Sequence, residues 1–317
     1  LAIDYRSFRN PDPPALVRIW NEACTGRGAA YMNGATPLEV LVLAKPHFDP
    51  RGLILALEDG VAVGFAHAGF GPDAIGKGLN LQLGVICLVA VRPSYQRRGV
   101  GRELLRRAEA YLRDRGATTI QAGARRPLAP FYWGLHAGSE PAGALASDPG
   151  CQAFLTANQY KAAEKVHILD CDLGSLSPVA DLRFPNIKRK HELRILPRPV
   201  SPSRYEESLY SPLEMLEFQL QDGGNGPAPA RVRVWDMEHF SWRWHQPAAG
   251  IIDLVVEPGR RRQGLAKFLM FQMLRYLQDQ FYSIAEVQVA ESNAAARQLM
   301  QTLGFRKVDE GVIYRKE

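Results

Sequence analysis

Two six-residue turns in this chain have the composition to hold a polyphosphate. The first, Gln96-Arg97-Arg98-Gly99-Val100-Gly101, sets two arginines and two glycines ahead of Val100, Leu104, Leu105, Ala108, Tyr111 and Leu112, which recur at helical spacing. The second, Arg261-Arg262-Gln263-Gly264-Leu265-Ala266, opens onto Leu265, Phe268, Leu269, Met273 and Leu277 in the same way. The first N–H groups of a helix lack intrahelical partners and lie at the positive end of its dipole, so an anion is favoured there. Glycine lets a phosphate approach the backbone, and Arg102 adds charge beside the first turn.

Each turn needs a strand to aim it. Residues 85–91, VICLVAV, are apolar throughout and read as a strand buried on both faces, turned by Pro93; Gly116 is a natural stop for the helix that follows. Residues 251–256 form the matching strand, turned by Pro258. Setting Gly264 on Gly99 aligns LVAVRPSYQRRGVG with DLVVEPGRRRQGLA without a gap, pairing Val89 with Leu254, Val91 with Val256 and Pro93 with Pro258. The chain reads as two copies of one unit.

The remaining elements fill in around these. Residues 3–8 alternate weakly, 13–22 read as a helix with proline in its first turn, and Thr36 can cap a second helix over 37–44. Residues 53–58 and 61–70 are strands joined at Asp59-Gly60, a strong hairpin signal, and 118–122 is a further strand. The order β-α-α-β-β-β-α-β describes a mixed α/β domain. A long loop, 126–147, carries Phe131, Tyr132, Trp133, His136 and Glu140, and its aromatics argue for order. A short helix over 150–158 and a strand over 166–173 follow. Residues 174–190 read as a linker, 191–196 as a strand, 201–211 as irregular, and 215–221 and 231–237 as strands around the loop 222–230. Beyond the second turn come a strand over 286–290, a helix over 293–303 capped by Asn293 and ended by Gly304, and a closing strand over 312–315. The expected domains are 1–173 and 191–317, joined by the linker 174–190.

Composition narrows the class. The chain has 317 residues, 46% apolar and 23% charged, as in a water-soluble globular protein. No apolar run approaches the roughly 20 residues that span a bilayer, and the N-terminus lacks a signal-peptide layout. Cys24, Cys87, Cys151 and Cys171 stand far apart, so four free thiols in a reducing compartment, the cytoplasm, are expected. The net charge of +6 concentrates partly beside the first turn, which favours a polyphosphate cofactor over nucleic acid as the partner.

A strand ending in apolar-Val-x-Pro, followed by Q/R-x-x-G-x-G/A, resembles the acyl-CoA-binding motif of the GNAT superfamily of N-acetyltransferases. NAAARQLMQTLGF, residues 293–305, also resembles that family's later helix, N-x-x-A-x-x-L-Y-x-x-x-G-F. The resemblance covers most of 1–173 and 230–317. It implies an α/β (α+β) chain of two tandem domains, each a mixed, mostly antiparallel sheet flanked by helices. It implies that backbone amides of Arg98, Gly99, Val100 and Gly101, and of Gln263, Gly264, Leu265 and Ala266, hold the pyrophosphate of acetyl-CoA or another short acyl-CoA. Gln96, Arg97, Arg102, Arg261 and Arg262 flank that site, and Val91 and Val256 are expected to bond the pantetheine arm. The implied reaction is direct attack of a small-molecule amine or a peptide amine on the thioester. Tandem members with a similar plan, such as mycothiol-synthase-like enzymes, show that one half can be degenerate; the first half here is the more complete.

The chain departs from the family at the general acid, a tyrosine in the later helix. Met300 stands there in the second half and Leu155 in the first. Tyr132 could substitute, or could pack its loop down. Glu140 and His136 are base candidates in the same loop, and His67 reads as a core histidine. Asp253 lies in the second strand where Leu88 is its counterpart, either bonding local backbone or acting as a base. WDMEHFSWRWHQ, residues 235–246, lacks the spacing of a metal-ligand set and reads as a packing or subunit-contact patch. The rival function is a non-catalytic acyl-CoA-binding or assembly module, which the missing tyrosines favour and the intact QRRGVG turn opposes.

Overall fold

A computed structural model describes residues 2–223 and 226–317, so the expected loop 222–230 contains two residues, Gly224 and Asn225, outside the described ones. The chain divides into two compact units, Leu1–Lys165 with Ser201–Pro212 and Glu310–Glu317, and Val166–Val200 with Leu213–Asp309.

The first unit opens with β1 (Ile3–Ser7) and α1 (Pro13–Ala23), whose Leu16, Ile19 and Trp20 are buried as their helical spacing requires. Next come α2 (Thr36–Leu38), continued by a π-helical turn over Glu39–Leu43, then β2 (Leu53–Glu58), β3 (Val61–Pro72) and β4 (Leu79–Val91). Ala35 rather than Thr36 stands at the N-cap of α2, and no side chain caps it. After β4 come α3 (Val100–Asp114), β5 (Thr119–Ala122), β6 (Ala144–Leu145) and α4 (Pro149–Ala157), the last capped by Asp148, whose carboxylate accepts from the Cys151 N–H at 3.0 Å. β1 to β4 pair antiparallel in sequence, β5 joins β4 in parallel, and the chain's last strand, β13 (Arg306–Lys316), completes the unit by pairing with β5 at Tyr314↔Ala122. Val100, Leu104, Leu105, Ala108 and Leu112 of α3 form the core over this sheet.

The second unit repeats the plan. Its elements are β7 (Lys161–Asp172, from Val166), α5 (Phe184–Lys190), β8 (Glu192–Pro197), β9 (Met215–Gln221), β10 (Ala230–Asp236), α7 (Glu238–Trp244), β11 (Ala248–Val256), α8 (Leu265–Asp279), β12 (Ile284–Ala290) and α9 (Ala294–Thr302). β8 to β11 are antiparallel, β12 joins β11 in parallel, and β7 pairs with β12 at Leu169↔Val287. The apolar face of α8 packs on this sheet with Phe218, Leu220, Val232 and Ile251.

These units differ from the expected segments 1–173 and 191–317. Strand pairing is the reason: β13 from Glu310 on serves the first unit and β7 from Val166 on serves the second. Residues 174–190 contain α5, whose Phe184 packs edge-on against Phe268 at 5.1 Å. The stretch expected to be irregular contains α6 (Arg204–Tyr210), a helix of the first unit. The tryptophan-rich stretch ends β10 and forms α7, with Trp235 of β10 and Phe240 of α7 buried and Trp242 exposed. No helix among the described residues is long and apolar enough to cross a membrane.

Candidate functional site

The two turns have one backbone conformation. Each strand leads into a single 3-10 turn, Pro93–Tyr95 or Pro258–Arg260. Arg97 and Gly99 take φ of 60° and 84°, and Arg262 and Gly264 take 62° and 89°. An arginine with positive φ is strained, and the turn is held from behind in both copies. Gln96 Nε2 donates to the Val91 carbonyl at 3.0 Å, and Arg261 Nε donates to the Val256 carbonyl at 3.2 Å. The successive N–H groups of such a turn form a concave anion nest at the start of a 15-residue helix. Both side-chain bonds use the strand's last carbonyl, which leaves the N–H groups of Val91 and Val256 for the expected pantetheine contact.

Access separates the copies. A methyl group built on Gly99 would meet nothing within 4 Å. Built on Gly264, it would lie 3.0 Å from Arg183 Nε and 3.4 Å from Ile187 Cδ1. Arg183 reaches the carbonyl of Arg262 with Nη1 at 3.4 Å and pairs with Asp181 at 2.7 Å. Asp181 in turn faces Lys267, in the first turn of α8, at 3.4 Å. Its hydrogen bonds from Arg183 hold its carboxyl well below the usual range. The second turn is therefore covered by a side chain whose own carboxylate partner supplies negative charge beside it.

In both units the strand before the turn outruns its parallel neighbour. β4 pairs with β5 only from Leu83↔Thr119 to Ile86↔Ala122, then continues to Val91 against β3 alone. A bulge falls at Cys87, between His67↔Leu88 and Ala68↔Ile86. β11 leaves β12 after Ile251↔Val287, with a bulge at Asp253-Leu254. A strand edge freed in this way offers backbone donors and acceptors to an amide-bearing chain, which is what the pantetheine arm carries. The turn and the freed edge thus fit an acyl-CoA in the first unit.

Of the three residues expected to do chemistry, Tyr132 and Glu140 belong to the first unit and Asp253 to the second. Tyr132 is buried, stacks on Trp20 at 5.7 Å, and its hydroxyl shares a 3.0 Å hydrogen bond with Nδ1 of His67. His67 is 0% exposed and burial pushes its imidazole down to about 3, so it stays neutral. Glu140, also in the first unit, faces Arg126 at 3.6 Å. His136 is held down to about 4 by burial, against the edge of Trp20. Asp253 belongs to the second unit, where φ of 54° places it on the bulge, half-buried and 3.6 Å from the buried Arg233. That strand is not buried along its length: Val255 is exposed. Leu155 and Met300, at the family's tyrosine positions, are both buried in their cores.

Two features of the site escaped the sequence reading. One is Arg183 over Gly264, whose signal was only the proline in the first turn of α5. The other is α6, which packs on the first unit through Tyr205 against His47 at 4.8 Å and Tyr210 against Trp133 at 5.1 Å. Its capping signature, Ser203-x-x-Glu206, is present in the sequence, and the Ser203 hydroxyl accepts from the Glu206 N–H at 3.1 Å.

The profile of the family described as Acetyltransferase (GNAT) family matches residues 14–137 and 232–305, together more than half of the chain. A mycothiol acetyltransferase of Thermomonospora curvata is 27% identical over 331 residues, covering 98% of either chain. One of Salinispora arenicola is 33% identical over 102 residues, 31% of this chain and 30% of its own. Among solved structures, a tandem GNAT protein from the clavulanic acid biosynthesis pathway superposes with a TM-score of 0.73 at 17% identity, covering 100% of this chain and 98% of its own. The glucosamine N-acetyltransferase region of a fungal multi-domain GH3 β-N-acetylglucosaminidase gives 0.72 at 16% identity, over 99% of this chain and 38% of that one.

Proposed function

Because the chain belongs to the GNAT acetyltransferase family, we propose that its first unit transfers acetyl from acetyl-CoA, or another short acyl group, to an amine acceptor by direct attack. The observation that carries this is the difference between the two turns: Gly99 is open and Gly264 is covered by Arg183. The second unit then serves as a folded partner domain with a closed turn.

Acyl-CoA supplies the thioester that an amine nitrogen attacks. The chain's part is to fix the donor. N–H groups of Arg98, Gly99, Val100 and Gly101 hold the pyrophosphate, and the freed edge of β4 aligns the arm so that its end lies at the Cys87 bulge. Holding both reactants at one point supplies proximity and orientation, and a backbone N–H there polarises the thioester carbonyl. A small-molecule acceptor is favoured by the full-length relative, which is named for mycothiol.

The test is calorimetry with acetyl-CoA on the wild type and on Gly99→Glu and Gly264→Glu, paired with thiol release in the presence of an amine panel. Binding lost only in Gly99→Glu supports the assignment, and binding lost only in Gly264→Glu reverses it. Binding without thiol release from any amine favours the binding-module reading, for which Leu155 and Met300 speak.

A further inference from the structure

The second turn repeats the first in its backbone and differs from it in its cover. Arg262 and Gly264 match the φ values of Arg97 and Gly99, Arg261 repeats the tether of Gln96, and β11 runs on past β12 with Val255 exposed. The difference lies in Asp181-Leu182-Arg183, whose arginine is laid over Gly264. These three residues are strung between two anchorages in the second unit's own core, Leu176 and Val179 before them and Phe184 and Ile187 after them. Phe184 meets Phe268 and Phe271 of α8 at 5.1 and 6.2 Å, whereas Leu182 is fully exposed.

Arg183 is placed against its electrostatic preference. A guanidinium beside Gly264 lies at the positive end of the α8 dipole, where a cation is disfavoured, and Lys267 adds a second positive charge in the first turn of that helix. Asp181 offsets both. Its carboxylate accepts from Arg183 Nε at 2.8 Å, from Nη2 at 2.7 Å and from the Arg183 N–H at 3.1 Å, and it faces Lys267 Nζ at 3.4 Å. The bond from Arg183 Nη1 to the Arg262 carbonyl is long, at 3.4 Å. The arginine side chain is 51% exposed, and an ion pair in contact with water holds weakly. The cover is therefore a half-exposed side chain kept in place by the Asp181 carboxylate, on a segment that is anchored independently of it.

We propose that Asp181 and Arg183 form a latch over a second acyl-CoA site: the turn at Gly264 is competent to bind the pyrophosphate, and Asp181 keeps Arg183 across it. The inference rests on the acetyl-CoA reading of the first turn above. Opening needs no movement of α5, because Phe184 and Ile187 hold that helix whatever Arg183 does. When Asp181 loses its charge, Arg183 is left as an uncompensated cation at a helix N-terminus and turns out to solvent. Gly264 then stands open as Gly99 does. An incoming pyrophosphate offers Arg183 and Lys267 the negative charge that Asp181 supplies in the closed state, so the latch is a competition between an internal carboxylate and the phosphates of a ligand. The chain thereby carries one open site and one site in reserve.

The test is calorimetry with acetyl-CoA on the full chain, comparing wild type with Arg183→Ala and Asp181→Asn, each alone and each combined with Gly264→Glu, with thermal melting alongside. Wild type should take one acetyl-CoA per chain. Each single variant should take two, one of them with an affinity within twofold of wild type, and adding Gly264→Glu should return the count to one. Melting should change little, since Phe184 and Ile187 are untouched. A count of two in either variant that returns to one with Gly264→Glu supports the latch. One site in both variants overturns it, and so does a second site that survives Gly264→Glu. Two sites in the wild type overturn it as well, because the turn is then open already. Loss of the fold in both variants does the same, because it marks the ion pair as a structural support. A wild type that binds no acetyl-CoA overturns the underlying reading, and the latch with it.

Discussion

Tyr132 and His67 meet through a 3.0 Å hydrogen bond between the phenol oxygen and Nδ1, both residues being sealed from solvent. The bond ties the long loop after β5 to the central strand β3. The other ring nitrogen, His67 Nε2, has no partner among the described residues. Removing the phenol in Tyr132→Phe leaves a second buried nitrogen unsatisfied, and the expected cost is about 1–3 kcal/mol of unfolding free energy. Urea denaturation measures it, and a change below about 0.5 kcal/mol would show that the bond does not order the loop.

The two glycine positions should respond differently to the same substitution. Gly99→Glu places a carboxylate where a pyrophosphate is expected, and acetyl-CoA affinity should fall at least 100-fold by calorimetry. Gly264→Glu, already facing Arg183 at 3.0 Å, should leave affinity within twofold. It should cost about 1–2 kcal/mol of stability for a side chain forced into the left-handed region. Wild type should bind one acetyl-CoA per chain, and a stoichiometry of two would mean that Arg183 gives way.

The turn's support from behind is also measurable. Gln96 Nε2 bonds the Val91 carbonyl at 3.0 Å and keeps Arg97 at φ of 60°. Gln96→Ala should weaken acetyl-CoA binding roughly 3- to 10-fold, the worth of about one ordinary hydrogen bond, with little change in melting. An unchanged dissociation constant would mean that the turn keeps its shape without the tether.

Mild acid should destabilise the fold. Burial holds His67 down to about 3 and His136 to about 4, and lowers His47 as well. Their folded-state values lie below the unfolded value of about 6.5, so in acid the unfolded chain binds protons that the folded chain refuses. The contribution is fully present above about pH 6.5 and is lost as pH falls toward 4, at about 1.4 kcal/mol per pH unit for each such histidine. The paired carboxylates Asp12, Asp49 and Glu103, whose values are lowered, add to the loss only below about pH 4.5. Urea midpoints between pH 7.5 and 4.5 test this, and a flat profile would contradict the buried neutral histidines.

Much of this protein is local and therefore legible without coordinates. The strand, proline, basic turn and helix of each copy follow from contiguous residues, because positive φ at Gly99 and Gly264 and the apolar stripes of α3 and α8 depend on neighbours a few positions away. The hairpin at Asp59-Gly60 and the caps Asp148 and Asn293 are legible for the same reason. What tertiary structure alone decided depends on groups far apart in the chain. β13 completes a sheet that begins at Ile3 because a strand edge takes whichever partner satisfies its backbone. Arg183 closes one of two turns that read alike in sequence, since coverage is a property of a docked side chain rather than of the turn. Tyr205 reaches the first unit because α6 buries its aromatic face there. The conformation of the two turns was therefore written in the sequence, while what lies over each of them was set by packing.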